Sequence, residues 1–286
     1  MPFLRNETKL LAAVSLLCLL GPILSCGGGG APTSQSTSLS GNWQIALSRH
    51  VLPKPPLIYT GFLIQSGNSI TGSVLFNLAS VGSGRCEGVG SVTGNFESQT
   101  VTLIIDELGE SVSLNGTLSS NSTSNTTSTM SLTGEFSNLA GGCTNYTNTG
   151  TWIATNVAPL SGSFHGTFTS AAIPSNGTLN VTGTLTQGPN TGSSSATLTG
   201  TIAVSGNPTF CSYLSSATIT GLISGTSVAL SLYGPNGSLI TQTGELGTNS
   251  TVTITPDAKS LTGTYSFLAI SSSCLGDQGA FQLTFP

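Results

Sequence analysis

The feature that most constrains what this chain can fold into is a period-two alternation of apolar and hydroxyl-bearing residues. Thr100-Val101-Thr102-Leu103-Ile104-Ile105, Ser131-Leu132-Thr133-Gly134-Glu135-Phe136 and Thr251-Val252-Thr253-Ile254-Thr255 largely place apolar side chains on one face and polar ones on the other. That is the period of an antiparallel strand packed on one side and wet on the other. Thr, Val and Ile dominate these runs, and β-branched residues fit a pleated surface better than a helix. Turn formers such as Gly67-Asn68, Gly188-Pro189-Asn190 and Pro235-Asn236-Gly237 punctuate the runs at the spacing of a β-sandwich or barrel. Ser119–Ser128 (SSNSTSNTTS) reads as a loop, and no helix is expected beyond the N-terminal segment.

The chain also repeats itself. Leu39-Ser40-Gly41-Asn42-Trp43 is echoed by Leu160-Ser161-Gly162-Ser163-Phe164, 121 positions on. Cys86 followed by Gly90-Ser91-Val92-Thr93-Gly94 matches Cys211 followed by Ser216-Ala217-Thr218-Ile219-Thr220-Gly221. Ser131-Leu132-Thr133-Gly134 precedes Cys143 as Ser260-Leu261-Thr262-Gly263 precedes Cys274. The expected fold is therefore all-β, with two tandem repeats over 39–156 and 160–286, joined near Asn156 to Pro159. Each repeat is an antiparallel β-barrel or sandwich of about eight strands, the number whose closure just fills an interior with side chains. Mid-strand glycine weakens a flat sheet, so the recurring Thr-Gly step points to bends or close backbone approach in a small barrel. Closure would also remove exposed edges, which a chain with few charges cannot guard.

Gly41-Asn42-Trp43 opening the first strand, with Leu261-Thr262-Gly263-Thr264-Tyr265 later, resembles the avidin and lipocalin type of up-and-down barrel. The resemblance implies that the Trp43 ring packs across one end of the first barrel. The second repeat departs from it by carrying Phe164 at that place.

The first segment reads as an export signal, residues 1–25. Arg5 and Lys9 give a basic start, Leu10 to Leu20 is largely apolar, and Gly21-Pro22 breaks any helix. The run is shorter than the ~20 residues of a transmembrane helix. Ile23-Leu24-Ser25-Cys26 resembles the bacterial lipobox, which implies cleavage before Cys26 and acylation of its thiol. Gly27-Gly28-Gly29-Gly30 and the Ser/Thr-rich stretch to Ser38 suit a flexible tether, residues 26–38. Two or three acyl chains would hold the protein on a bilayer far more firmly than one. Gly27 after the lipidated Cys resembles lipoproteins passed to the outer membrane rather than kept on the inner one.

Charged residues make up 6% of the chain, against about 25% in an ordinary soluble domain. With Arg5, Lys9 and Glu7 removed in the signal, 6 − 2 = 4 basic and 10 − 1 = 9 acidic residues remain. Four scattered cations cannot supply an electrostatic footprint for nucleic acid or anionic lipid headgroups. Asn115-Gly116-Thr117 and Asn236-Gly237-Ser238 fit the N-glycosylation pattern, but a bacterial lipobox argues against its use.

Of six Cys, Cys18 leaves with the signal and Cys26 takes the lipid. The remaining four stand two per repeat at matching places. Export and duplication together select Cys86–Cys143 and Cys211–Cys274 from the three connectivities open to four thiols. Loop-closure entropy would contribute roughly 4 kcal/mol for each. Without a Cys-x-x-Cys pair or a His near any Cys, a zinc site is not expected, nor is any other metal or cofactor.

Candidates for chemistry are few. His50 sits before an extended Pro-rich stretch, and His165 falls on the strand face opposite Phe164 and Phe168; both read as surface residues. Asp106, Glu107 and Glu110 cluster at a turn and read as solvated. Trp43, Trp152, Tyr59 and Tyr146 read as core rather than as the lining of a pocket. No nucleophile elbow, P-loop, zincin or dinucleotide fingerprint is present, so an enzyme is not expected. The expectation is a lipid-anchored envelope protein with a non-catalytic binding or structural role. The alternatives are a calycin-like carrier of a small apolar ligand and an adhesin-like module for glycans or envelope proteins.

Overall fold

A computed structural model describes residues 37–50, 56–79, 85–107, 109–120, 129–138, 148–171, 177–205, 216–234, 239–242, 252–266 and 278–286. All regular structure among them is β. The first repeat contains β1 (Gly41–Arg49), β2 (Leu57–Ser66), β3 (Ser69–Ala79), β4 (Arg85–Glu97), β5 (Thr100–Glu107), β6 (Glu110–Ser120), β7 (Met130–Asn138) and β8 (Asn148–Val157). Each strand pairs antiparallel with the next, and β8 returns to β1 from Asn42↔Val157 to Arg49↔Gly150, so the sheet is a closed up-and-down barrel rather than a sandwich. The β4–β5 hairpin is tight: Ser98 and Gln99, both at positive φ, form the two-residue link between Glu97 and Thr100, the conformation that matches strand twist.

The second repeat contains β9 (Gly162–Ser170), β10 (Thr178–Gln187), β11 (Ala196–Ser205), β12 (Ala217–Ser224), β13 (Ser227–Tyr233), β14 (Leu239–Gln242), β15 (Thr253–Ile254), β16 (Ser260–Ser266) and β17 (Gln278–Thr284). It closes through β17 on β9. β14 and β15 both pair with β13, at Leu239↔Tyr233 and Thr253↔Ser227, and together fill the place that β6 holds alone in the first barrel. Both barrels therefore have eight positions around the wall, as the alternation predicts.

The duplication is visible in register. Trp43 faces Gly61 as Phe164 faces Gly183; Gly94 faces Leu103 as Gly221 faces Leu230; Gly134 faces Trp152 as Gly263 faces Phe281. The Leu-Ser-Gly echo has a structural cause. The Leu39 amide donates to Gln65 Oε1 (2.8 Å) while the Gln65 amide donates to Ser40 Oγ (2.8 Å). Leu160, Gln187 and Ser161 repeat that clasp at 3.0 and 3.1 Å. Gly41 (φ 146°) and Gly162 (φ 144°) then turn the chain into the first strand, a conformation that side-chain-bearing residues rarely adopt.

The interiors are filled by side chains from alternate positions. Trp43, Ile45, Leu47, Tyr59, Leu63, Ile70, Val74, Phe76, Leu103, Leu114 and Trp152 belong to one contiguous cluster in the first barrel, each at most 2% exposed. Large rings fit because glycines stand beside them. A Cβ at Gly183 would lie 2.5 Å from Phe164 Cζ, and one at Gly116 2.7 Å from Trp152 Cζ2. The same arrangement sets Phe136 over Gly150, Phe76 over Gly88 and Tyr265 over Gly279. The Thr-Gly step is thus a packing device: at Thr149-Gly150 and Thr182-Gly183 the missing side chain makes room for an aromatic one, and at Thr133-Gly134 and Thr199-Gly200 for the neighbouring backbone.

The barrels are docked end to wall. Asn42, Gln44, Thr60 and Phe62 project from the outside of β1 and β2 against the turns of the second barrel, and Phe62 is part of that barrel's core cluster. Asn42 Nδ2 donates to Gly225 O (2.8 Å), and Gly225 N donates back to Asn42 Oδ1 (2.7 Å). Thr60 and Ser224 are bonded through their hydroxyls at 2.9 Å, and Asn190 Nδ2 donates to Leu63 O at 2.8 Å. Asn42→Ala would leave both groups of Gly225 buried without a partner, at roughly 2 kcal/mol or more. The expected result is cleavage of the junction after Val157 at least about tenfold faster in limited proteolysis of the native protein.

Candidate functional site

The two barrels differ in chemistry at one rim. At the rim of the first barrel where β1 and β5 end and β2 and β6 begin, Glu107 and Glu110 are each 2% exposed. The expectation that this acidic group is a solvated turn is wrong for both. Only Asp106 faces water, bonded to Ser111 Oγ. The reason is parity: Val101, Leu103 and Ile105 alternate inward along β5, so Glu107 must follow them, and its cross-strand partner Glu110 shares the inward face with Val112 and Leu114.

Glu107 is held from across the lumen. Tyr59 lies on β2, three strands away, and its hydroxyl donates to Glu107 Oε1 at 3.0 Å. The Tyr59 ring packs against Phe76, with centroids 6.2 Å apart. Arg49, the last residue of β1, brings its guanidinium into the same field. Two buried atoms of the group have no hydrogen-bond partner, Glu107 Oε2 and Arg49 Nε. Burial raises the Glu107 carboxyl from 4.5 to about 7; the Tyr59 hydrogen bond pulls it down, and the Glu110 charge adds to the rise. Burial, then the Glu107 charge, holds the Tyr59 phenol well above its ordinary range.

The second barrel supplies an internal control. Through the shared register, Tyr59 corresponds to Val181, Glu107 to Gly234 and Arg49 to Ser170. The tyrosine–carboxylate pair is thus a property of the first barrel alone, laid onto a fold that closes without it. Its chemistry is that of a proton-binding group: a carboxyl that changes charge near neutrality, one donor on one oxygen, and a second carboxylate across the hairpin.

The other candidates are placed as follows. His50 and His165 are exposed, His165 on the face opposite Phe164 and Phe168. Trp43, Trp152 and Tyr59 are core, with Trp43 Nε1 donating to Leu39 O (2.8 Å) before the first strand. Cys26, Cys143, Cys211, Cys274 and Tyr146 lie outside the described residues; Cys86 is in β4, opposite Leu78. Among the described residues no group of three or more His, Cys, Asp or Glu is arranged to hold a metal ion. No protein-family model matches this chain, and neither a curated protein nor a solved structure matches it.

Proposed function

We propose that this chain is an exported lipoprotein, anchored on the outer membrane through Cys26, whose paired barrels serve a non-catalytic binding or structural role in the cell envelope. The observation that carries the reading is Ile23-Leu24-Ser25-Cys26, placed directly after an apolar run and before a glycine-rich tether. The body of the protein suits such a role. Its outward strand positions are chiefly Thr and Ser, with Thr184 and Thr201 paired through their hydroxyls at 3.2 Å, a surface that stays wet without charge.

The filled interiors count against the carrier reading. Side chains lining a ligand-sized void would expose surface to it, whereas successive inward residues such as Val101, Leu103, Ile105 and Glu107 on β5 are at most 2% exposed. A glycan or an envelope protein would therefore meet the outer walls or the rims. Metabolic labelling with an alkyne fatty acid tests the proposal: the native chain takes up label and partitions with membranes, and Cys26→Ala does neither. Equal labelling of both, or of neither, would refute it.

A further inference from the structure

We propose that the rim of the first barrel is a proton-operated latch, in which the β5–β6 hairpin is held down while Glu107 is neutral and loosens when it ionises. The geometry carries this. Glu107 crosses inward at the hairpin's end, is 2% exposed, and receives one donor, Tyr59, on one of its two oxygens. A neutral carboxyl is tolerated there, since at Oε2 it leaves only an uncharged hydroxyl without an acceptor. A carboxylate is not, because its second oxygen is buried with no donor and the Glu110 carboxyl lies across the hairpin on the same face. The ionised form is relieved by letting the hairpin end reach water, and only the few pairs near Glu107↔Glu110 need to open.

Among the described residues, the cation that reaches this field is Arg49. β1 contributes Arg49 and β2 contributes Tyr59, while β3 offers Phe76 and β4 offers Gly88 and Gly90 beside it, none of them charged. Arg49 bears on Tyr59, but its Nε makes no hydrogen bond to Glu107. Burial of the carboxyl supports a transition close to neutrality. The latch does not depend on the lipid anchor.

Hydrogen exchange read by mass spectrometry on the whole protein, at pH 6 and pH 8 and corrected for intrinsic rate, tests the latch. Peptides spanning 103–114 should lose about tenfold or more of their protection at pH 8, the scale of one unit of preferential proton binding. Peptides spanning 228–234, the corresponding strand of the second barrel, should not change. Glu107→Gln should abolish the pH dependence, and Tyr59→Phe, which removes the one donor, should move the transition to higher pH. Equal protection at both pH values in the native protein would overturn the proposal. So would the same loss in Glu107→Gln, or an unmoved transition in Tyr59→Phe.

Discussion

Replacing Gly134 by alanine is expected to cost the first barrel about 3 kcal/mol or more, a large effect for a single methyl group. A Cβ there would lie 1.9 Å from Asn115 O and 2.5 Å from Gly116 Cα, both backbone atoms that no side-chain rotation can clear. The β6–β7 pair must part, and with it the wall on which Trp152 is seated. The neighbouring Thr133→Ala, on the exposed face of the same strand, is expected to change stability by less than about 0.5 kcal/mol. The chain has two tryptophans, Trp43 and Trp152, both in the first barrel's core, so fluorescence during urea denaturation reports this barrel. Equal midpoints for Gly134→Ala and Thr133→Ala would contradict the packing account.

The second large effect is a pH-dependent stability that Glu107→Gln removes. Because the folded-state value is raised from 4.5 to about 7, the folded chain binds a proton that the unfolded chain has released between those values. Stability is then full below pH 4.5, falls as pH rises toward 7, and is flat in this respect above it. The whole shift corresponds to about 3 kcal/mol, and solvent screening at the rim reduces this to roughly 2. The difference in unfolding free energy between Glu107→Gln and the native protein should therefore move by that amount in favour of the variant from pH 4.5 to pH 8. Urea titrations at several pH values measure it, and a constant difference would show that Glu107 is not the group responsible.

The fold was legible because its causes are local and repeated. Alternation in Thr100–Ile105 specifies which side chains of β5 face inward, and matched motifs such as Leu39-Ser40-Gly41 and Leu160-Ser161-Gly162 mark equivalent starts of two units. Barrel and sandwich share that alternation. What separates them is closure of β8 on β1, a contact between residues more than a hundred positions apart that no local pattern records. The interrupted wall position built from β14 and β15 was likewise hidden, since Leu239–Gln242 carries no sign that β13 must share its edge with a second strand.

The acidic rim was misread for an instructive reason. Turn propensity and strand parity disagree at Glu107, and parity prevails because Val101, Leu103 and Ile105 fix the inward face of the whole strand. Extending that parity by one step would have placed Glu107 inside. Its partnership with Tyr59 could not have been read in the same way, because 48 positions in sequence and two intervening strands separate them and only the closed barrel brings them together.

Intact mass spectrometry of the mature protein tests the central claim most directly, since it reads the N-terminus and any lipid on it at once. The account predicts a chain beginning at Cys26 that carries the mass of two or three acyl chains, with the rest of the sequence unaltered apart from oxidation of thiols. A mature chain beginning elsewhere, or beginning at Cys26 with a bare thiol and amine, would contradict it.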